Sequence, residues 1–197
     1  MSEKLTVGDA GFEALTSWTD ADSNAQRVSD YTTLTPFGAY ALGGSYGATT
    51  LHVYQDISVP SGWNTDIDNG NAVAVLSAWQ RSESTDNSGY LHMTFLDSGD
   101  SSLGTASSTA KTSTEPSDTD LAAAIPVNTR KIRIACKGTG DGTGNLHAFF
   151  DNVRLVLHKD DSANVDALNL AVLVLPPDSQ VGISKLSRTV IIGPDDA

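Results

Sequence analysis

Leu51-His52-Val53-Tyr54-Gln55-Asp56-Ile57-Ser58-Val59 is the stretch that decides the fold. Leu51, Val53, Ile57 and Val59 share one face with Gln55, whereas His52, Tyr54 and Asp56 point the other way. A repeat of two residues is the period of a β-strand, and this strand has one buried face. The stretch 71–81 differs, because Ala72, Ala74, Leu76 and Ala78 fall opposite Val73, Val75, Ser77 and Trp79. Apolar side chains on both faces predict a central strand with neighbours on either side.

Moving outward, further short runs of β-branched and aromatic residues predict strands at 39–42, 90–96, 131–136 and 147–157. Clusters of Gly, Ser, Asp, Asn and Thr separate them, and helical periodicity is almost absent. The expected class is all-β, a sandwich of antiparallel sheets. Residues 98–120 carry hardly any large apolar side chain and read as a long surface connection with one short strand near 103–105. Asp120 can cap Leu121-Ala-Ala-Ala124 before Pro126 interrupts, which predicts a brief helix there.

The chain has 197 residues, enough for one domain of ordinary size plus an appended segment. The expected division is 1–158 for the sandwich and 159–197 for a linker and an apolar β arm. Leu168, Leu170, Val172 and Val174 precede a Pro176-Pro177 stop, and Val181, Ile183, Leu186, Val190 and Ile192 follow it. Two such segments are too few to make a core, so the arm is expected to dock on the sandwich, pair with copies of itself, or lie on another protein.

The net charge of −12 comes from 24 acidic and 12 basic residues. The basic ones are scattered except for Arg130, Lys131, Arg133 and Lys137. Nucleic acid is an unfavoured partner, since phosphate neutralisation needs a basic face. No apolar run is long enough to span a bilayer, and residues 1–10 lack the apolar stretch of a secretion signal. The expectation is a protein made in a cytoplasm, with no membrane partner. Cys136, the single cysteine, reads as a small apolar residue on a strand.

A set of ordered motifs carries a resemblance. These are Asp9-Ala-Gly-Phe-Glu13 with Trp18, Phe37-Gly-Ala-Tyr-Ala-Leu42, Tyr54-Gln-Asp-Ile-Ser-Val59, Thr94-Phe-Leu-Asp-Ser98, Ile125 to Ile134, and Phe149-Phe-Asp-Asn-Val153. In order and spacing, over about residues 8–157, they resemble the galactose-binding-like jelly rolls, including carbohydrate-binding modules. The resemblance implies two antiparallel sheets face to face, with first and last strands adjacent. It also implies a structural Ca²⁺ held by Glu13 and Asp151, two carboxylates that with backbone carbonyls would staple the chain ends. The chain departs from the pattern at Asp9 and Asn152 and in having no Gly after Glu13, which puts one anionic ligand in doubt. Ordinary strand-end carboxylates are the competing reading of this pair.

Modules of this kind stack sugar rings on exposed aromatics, and the candidates here are Trp63, Trp79 and Tyr90. A sandwich this size also needs buried aromatics, which is the competing reading of each; Trp18 is assigned to the core edge. With three Trp and five Tyr, a broad glycan platform is not expected.

Other patterns carry less. Gly43-Gly-Ser-Tyr-Gly47 has the spacing of a nucleophile elbow but leads into a strand. Gly138 to Gly144 lacks the Lys-Ser/Thr ending of a phosphate loop, and 64–70 lacks the terminal Glu of an EF-hand, so both read as turns or solvated loops. His52, His92, His147 and His158 fall on separate predicted strands without metal-ligand spacing. No pair of carboxylates stands out for glycoside hydrolysis, and no enzymatic activity is expected.

Segment 181–192 resembles Ser-Lys-Leu-bearing strands of tailed-phage virion proteins. The leading expectation is therefore a bacteriophage virion structural protein, a capsid decoration or a tail or fibre component. It would attach to other virion proteins through its arm, with a trimer the favoured oligomer. The alternative is a carbohydrate-binding module for host-surface or polysaccharide glycans.

Overall fold

Two antiparallel sheets stack face to face, with short alternating segments supplying the strands. The structure, a computed structural model, describes residues 1–29, 37–82, 86–140, 142, 143 and 146–159. The arm positions Leu168 to Ile192 lie outside the described residues. In chain order the strands are β1 (Ser2–Leu5), β2 (Thr19–Asp20), β3 (Ala25–Val28), β4 (Ala41–Gly44) and β5 (Thr50–Ser58). A turn of 3₁₀ helix (Ser61–Trp63) leads into α1 (Asn64–Asp68). Then come β6 (Ala72–Ser82), β7 (Ser88–Leu96), β8 (Ser102–Ser107), β9 (Ser117–Ala124), β10 (Lys131–Thr139) and β11 (Ala148–Lys159). No helix among the described residues is long and apolar enough to cross a membrane.

One sheet runs β3-β4-β11-β6-β9 with β1 also on β11; the other runs β2-β5-β10-β7-β8. First and last strands are adjacent, since Ser2–Leu5 pair antiparallel with His158–Leu155. The alternation in β5 holds: Leu51, Val53 and Ile57 are buried, and His52, Tyr54 and Asp56 face outward. β6 lies between β11 and β9, which is why both of its faces are apolar. Phe12, Phe95, Phe150, Leu76, Met93 and Ile132 are fully buried between the sheets. Cys136 is buried among them, and burial pushes its thiol pKa up.

Two local expectations are corrected. Residues 120–124 form the end of β9 instead of a helix, pairing from Val73↔Ala124 to Gln80↔Ser117. Eight residues of ladder outweigh the weak helix preference of three alanines, because the alternative leaves the β6 edge unpaired. Residues 64–68 are a helical turn where a loop was expected. Pro60 sets the turn, and Trp63 and Ile67 point inward to close that end of the core.

Candidate functional site

The outer face of the five-stranded sheet collects groups far apart in sequence. On its central strand, β10, Arg133 pairs with Asp56 and Thr94, Ala135 with Tyr54 and His92, and Lys137 with His52 and Tyr90. β8 continues the rows, with Ser107 opposite His92 and Thr105 opposite Thr94. The period of two sends these side chains outward, while Ile132, Ile134 and Cys136 go into the core. Ala135, between Tyr54 and His92, is 1% exposed, so its larger neighbours close over it.

Several side chains on this face are held by partners. Arg133 makes a two-pronged ion pair with Asp56, Nε to Oδ1 at 2.6 Å and Nη2 to Oδ2 at 2.9 Å. Its guanidinium also lies 4.2 Å from the Tyr54 ring centre, and His52 approaches the same ring at 5.7 Å. His92 Nδ1 is 2.7 Å from Ser107 Oγ, and its Nε2 is 3.3 Å from Thr94 Oγ1. Asp22 accepts the Thr50 hydroxyl at 2.8 Å and the His52 amide at 3.2 Å. Burial, then Lys137, hold the His52 pKa below its ordinary value, with Asp22 opposing. Burial and the charges of Lys137 and His52 do the same to His92. Both rings are therefore neutral near pH 7 and able to accept as well as donate.

This face takes in Tyr90 but not the two tryptophans, which corrects the idea of exposed stacking rings at those positions. Trp63 is 4% exposed and its Nε1 donates to the Glu3 carboxylate. Trp79 is 7% exposed and lies on the opposite sheet in a small cluster with Phe149 and Val28. Trp18 fills the core edge as expected, 4.9 Å from Phe12. That His52 and His92 stand on either side of β10, one row apart, is not evident in the sequence, because forty residues separate them and only strand register joins them.

A second constellation sits where the opening motif meets β11. The Asp9 carboxylate accepts the amides of Glu13, Ala14 and Leu15 at 2.7, 3.0 and 2.6 Å, folding 9–15 into a tight turn. Asn could not serve all three so well, since its amide nitrogen cannot accept. Glu13 Oε1 accepts the amides of Ala39 and Tyr40 at 2.9 and 3.3 Å. Asp151 stands at a β-bulge in β11, fully buried, with Oδ1 accepting the Asn152 amide at 2.6 Å. Its Oδ2 is buried without a hydrogen-bond partner. Burial pushes the Asp151 pKa up to about 6; the Asn152 and Phe37 amides oppose this and the Glu13 charge adds to it.

The two carboxylates converge. A β-carbon on Gly11 would lie 3.5 Å from Asp151 Oδ1 and 4.0 Å from both Glu13 Oε1 and the Phe37 carbonyl oxygen. Oxygens of the Asp151 and Glu13 carboxylates and of the Phe37 carbonyl around this point, with the other Asp151 oxygen unpartnered, are the kind of donors that a hard cation takes. Among the described residues no group of three or more His, Cys, Asp or Glu could hold a metal, so backbone oxygens would complete the shell. A carboxyl group near pH 6 also suits acid–base chemistry, but Asp151 has no accessible surface to meet a substrate.

No family model matches the chain, and no curated protein matches its sequence. Solved structures do share its fold. It is similar to the enzymatically active domain of tailspike protein 4 of bacteriophage CBA120, at 14% identity and a TM-score of 0.57 over 77% of this chain; it spans 21% of that chain, about a fifth. It is similar to TmCBM61 in complex with β-1,4-galactotriose, at 16% identity and a TM-score of 0.52, covering 80% of this chain and 99% of that one. A cyclase from Fischerella sp. TAU is also similar, at 13% identity and a TM-score of 0.56, covering 81% and 98%. Binding modules and enzymes both use this architecture, so it does not by itself decide for or against catalysis. The fold is a jelly-roll sandwich like that of the carbohydrate-binding modules.

Proposed function

We propose that the protein is a non-catalytic glycan-binding module whose ligand lies across the outer face of the five-stranded sheet. The observation that carries this reading is the row of rings and hydrogen-bonding groups on three adjacent strands. Sugars need both an aromatic surface and polar groups already held in place, and this face has both. The Ser107–His92 hydrogen bond is the nearest thing to a nucleophile and base, but His92 is oriented by a hydroxyl, not by a carboxylate that would stabilise an imidazolium. A glycan array probed with the full chain and with Tyr90→Ala tests the reading. Binding that weakens in the variant is expected; no binding to any glycan, or cleavage of one, overturns it.

In the same proposal Glu13 and Asp151, with the Phe37 carbonyl, hold a structural Ca²⁺. The ion would neutralise the buried carboxylate and tie the opening turn to β11. It takes no part in binding the sugar.

A virion role is the second reading. The tailspike likeness and the alternating apolar residues of the arm, Leu168 to Val174 and Val181 to Ile192, favour it. The module would then be a bacteriophage structural part, on the capsid or the tail, attached by an arm that adds strands to a neighbour or assembles a trimer. Deleting residues 160–197 should collapse the size-exclusion mass to a monomer; an unchanged mass counts against the arm.

A further inference from the structure

We propose that the saccharide is acidic, with a carboxylate seated against Lys137 between His52 and Tyr90. This rests on the glycan-binding reading and narrows it to uronate-type sugars. Lys137 is on the central strand of the face, half-buried and opposite His52 on one side and Tyr90 on the other. The other three basic groups of β10 and its approach are already neutralised. Arg130 pairs with Asp68, Lys131 with Asp100, and Arg133 with Asp56. The Lys137 side chain has no ion pair and no hydrogen bond among the described residues.

In a chain of net charge −12, an ammonium unengaged among the described residues on the central strand of a sheet departs from the general composition. Acidic side chains are plentiful enough to pair it, as they pair its three neighbours. The carboxylates nearest the face are themselves occupied, Asp56 by Arg133 and Asp22 by Thr50 and the His52 amide. Among the described residues the face thus keeps one positive charge free, with the His52 and Tyr90 rings on either side of it. An anion arriving there gains a charge-assisted hydrogen bond from Lys137. It can take further hydrogen bonds from His52 or Tyr90, whose rings need not give up a partner among those described. The surrounding negative charge would repel a polyanion that lacked such a specific seat, so binding cannot come from bulk attraction.

The test is calorimetry with oligogalacturonate, its methyl ester and a sulfated dextran oligomer, using the full chain and the variants Lys137→Ala and Lys137→Arg. Expected is binding of oligogalacturonate, weakened by roughly tenfold or more in Lys137→Ala and partly kept in Lys137→Arg. The methyl ester should bind weakly to every form. If the ester binds as well as the acid, or Lys137→Ala binds both unchanged, the acidic-sugar proposal falls while glycan binding stands. Preference for the sulfated oligomer overturns the carboxylate assignment. Failure to bind any of these or any arrayed glycan takes the parent reading down with it.

Discussion

Glu13 Oε1 occupies the space that a β-carbon on residue 38 would need, so Gly38 is the residue that lets this carboxylate reach the Ala39 amide at 2.9 Å. The contact joins the opening turn to the segment before β4. Gly38→Ala should push Glu13 aside and cost about 1–3 kcal/mol, the range for a lost charged hydrogen bond. Urea unfolding should show a lower midpoint with an unchanged slope. An unchanged midpoint would mean that Glu13 holds nothing in place.

Asp151 makes stability depend on pH in an unusual direction for a carboxylate. Its pKa is raised from 3.8 to about 6, so the stability it allows is fully present below pH 3.8 and is lost as the pH rises through about 6. The full loss is at most about 3 kcal/mol. A bound Ca²⁺ would remove that cost where Asp151 is ionised. Thermal melts should therefore rise on adding calcium at pH 7.5 and scarcely change at pH 4.5. Asp151→Asn should flatten the pH dependence and abolish the calcium response; a calcium-independent melt at pH 7.5 would rule the ion out.

How much of this was legible in the sequence follows from whether the cause was local. β5 and β6 were readable because burial writes itself into every second residue of one strand. β9 was not, since Ser117-Asp-Thr-Asp-Leu-Ala-Ala-Ala124 becomes a strand only by pairing with β6, forty residues away. Trp63 misled for a similar reason. It was a candidate for an exposed stacking ring, but the following helical turn places the ring inward with Ile67. The outer face of the five-stranded sheet was invisible because His52, His92 and Lys137 meet only through the register of three strands. Glu13 and Asp151 were reached through the resemblance, and no pattern within either segment points to the other.

The two face histidines should titrate below 6.5, and NMR of their ring protons would measure this. Because their folded pKa values are depressed, the stability they contribute is present above pH 6.5 and lost as the pH falls through the folded values. Asp22 opposes the depression of His52. Asp22→Asn should thus lower the His52 pKa further and leave His92 nearly unchanged; an unchanged His52 pKa would show that Asp22 does not act on the ring.

The aromatic side chains should divide by burial. Trp63→Ala removes a ring that closes the core end beside Ile67 and should cost about 3–5 kcal/mol. Tyr90 is only half-buried, on the outer face, so Tyr90→Ala should cost far less stability and act on binding instead. Chemical denaturation of both variants, followed by glycan binding under conditions where each is folded, separates the two effects. If Trp63→Ala left stability intact while abolishing binding, the ring would be a sugar contact and the outer face of the five-stranded sheet would be the wrong surface.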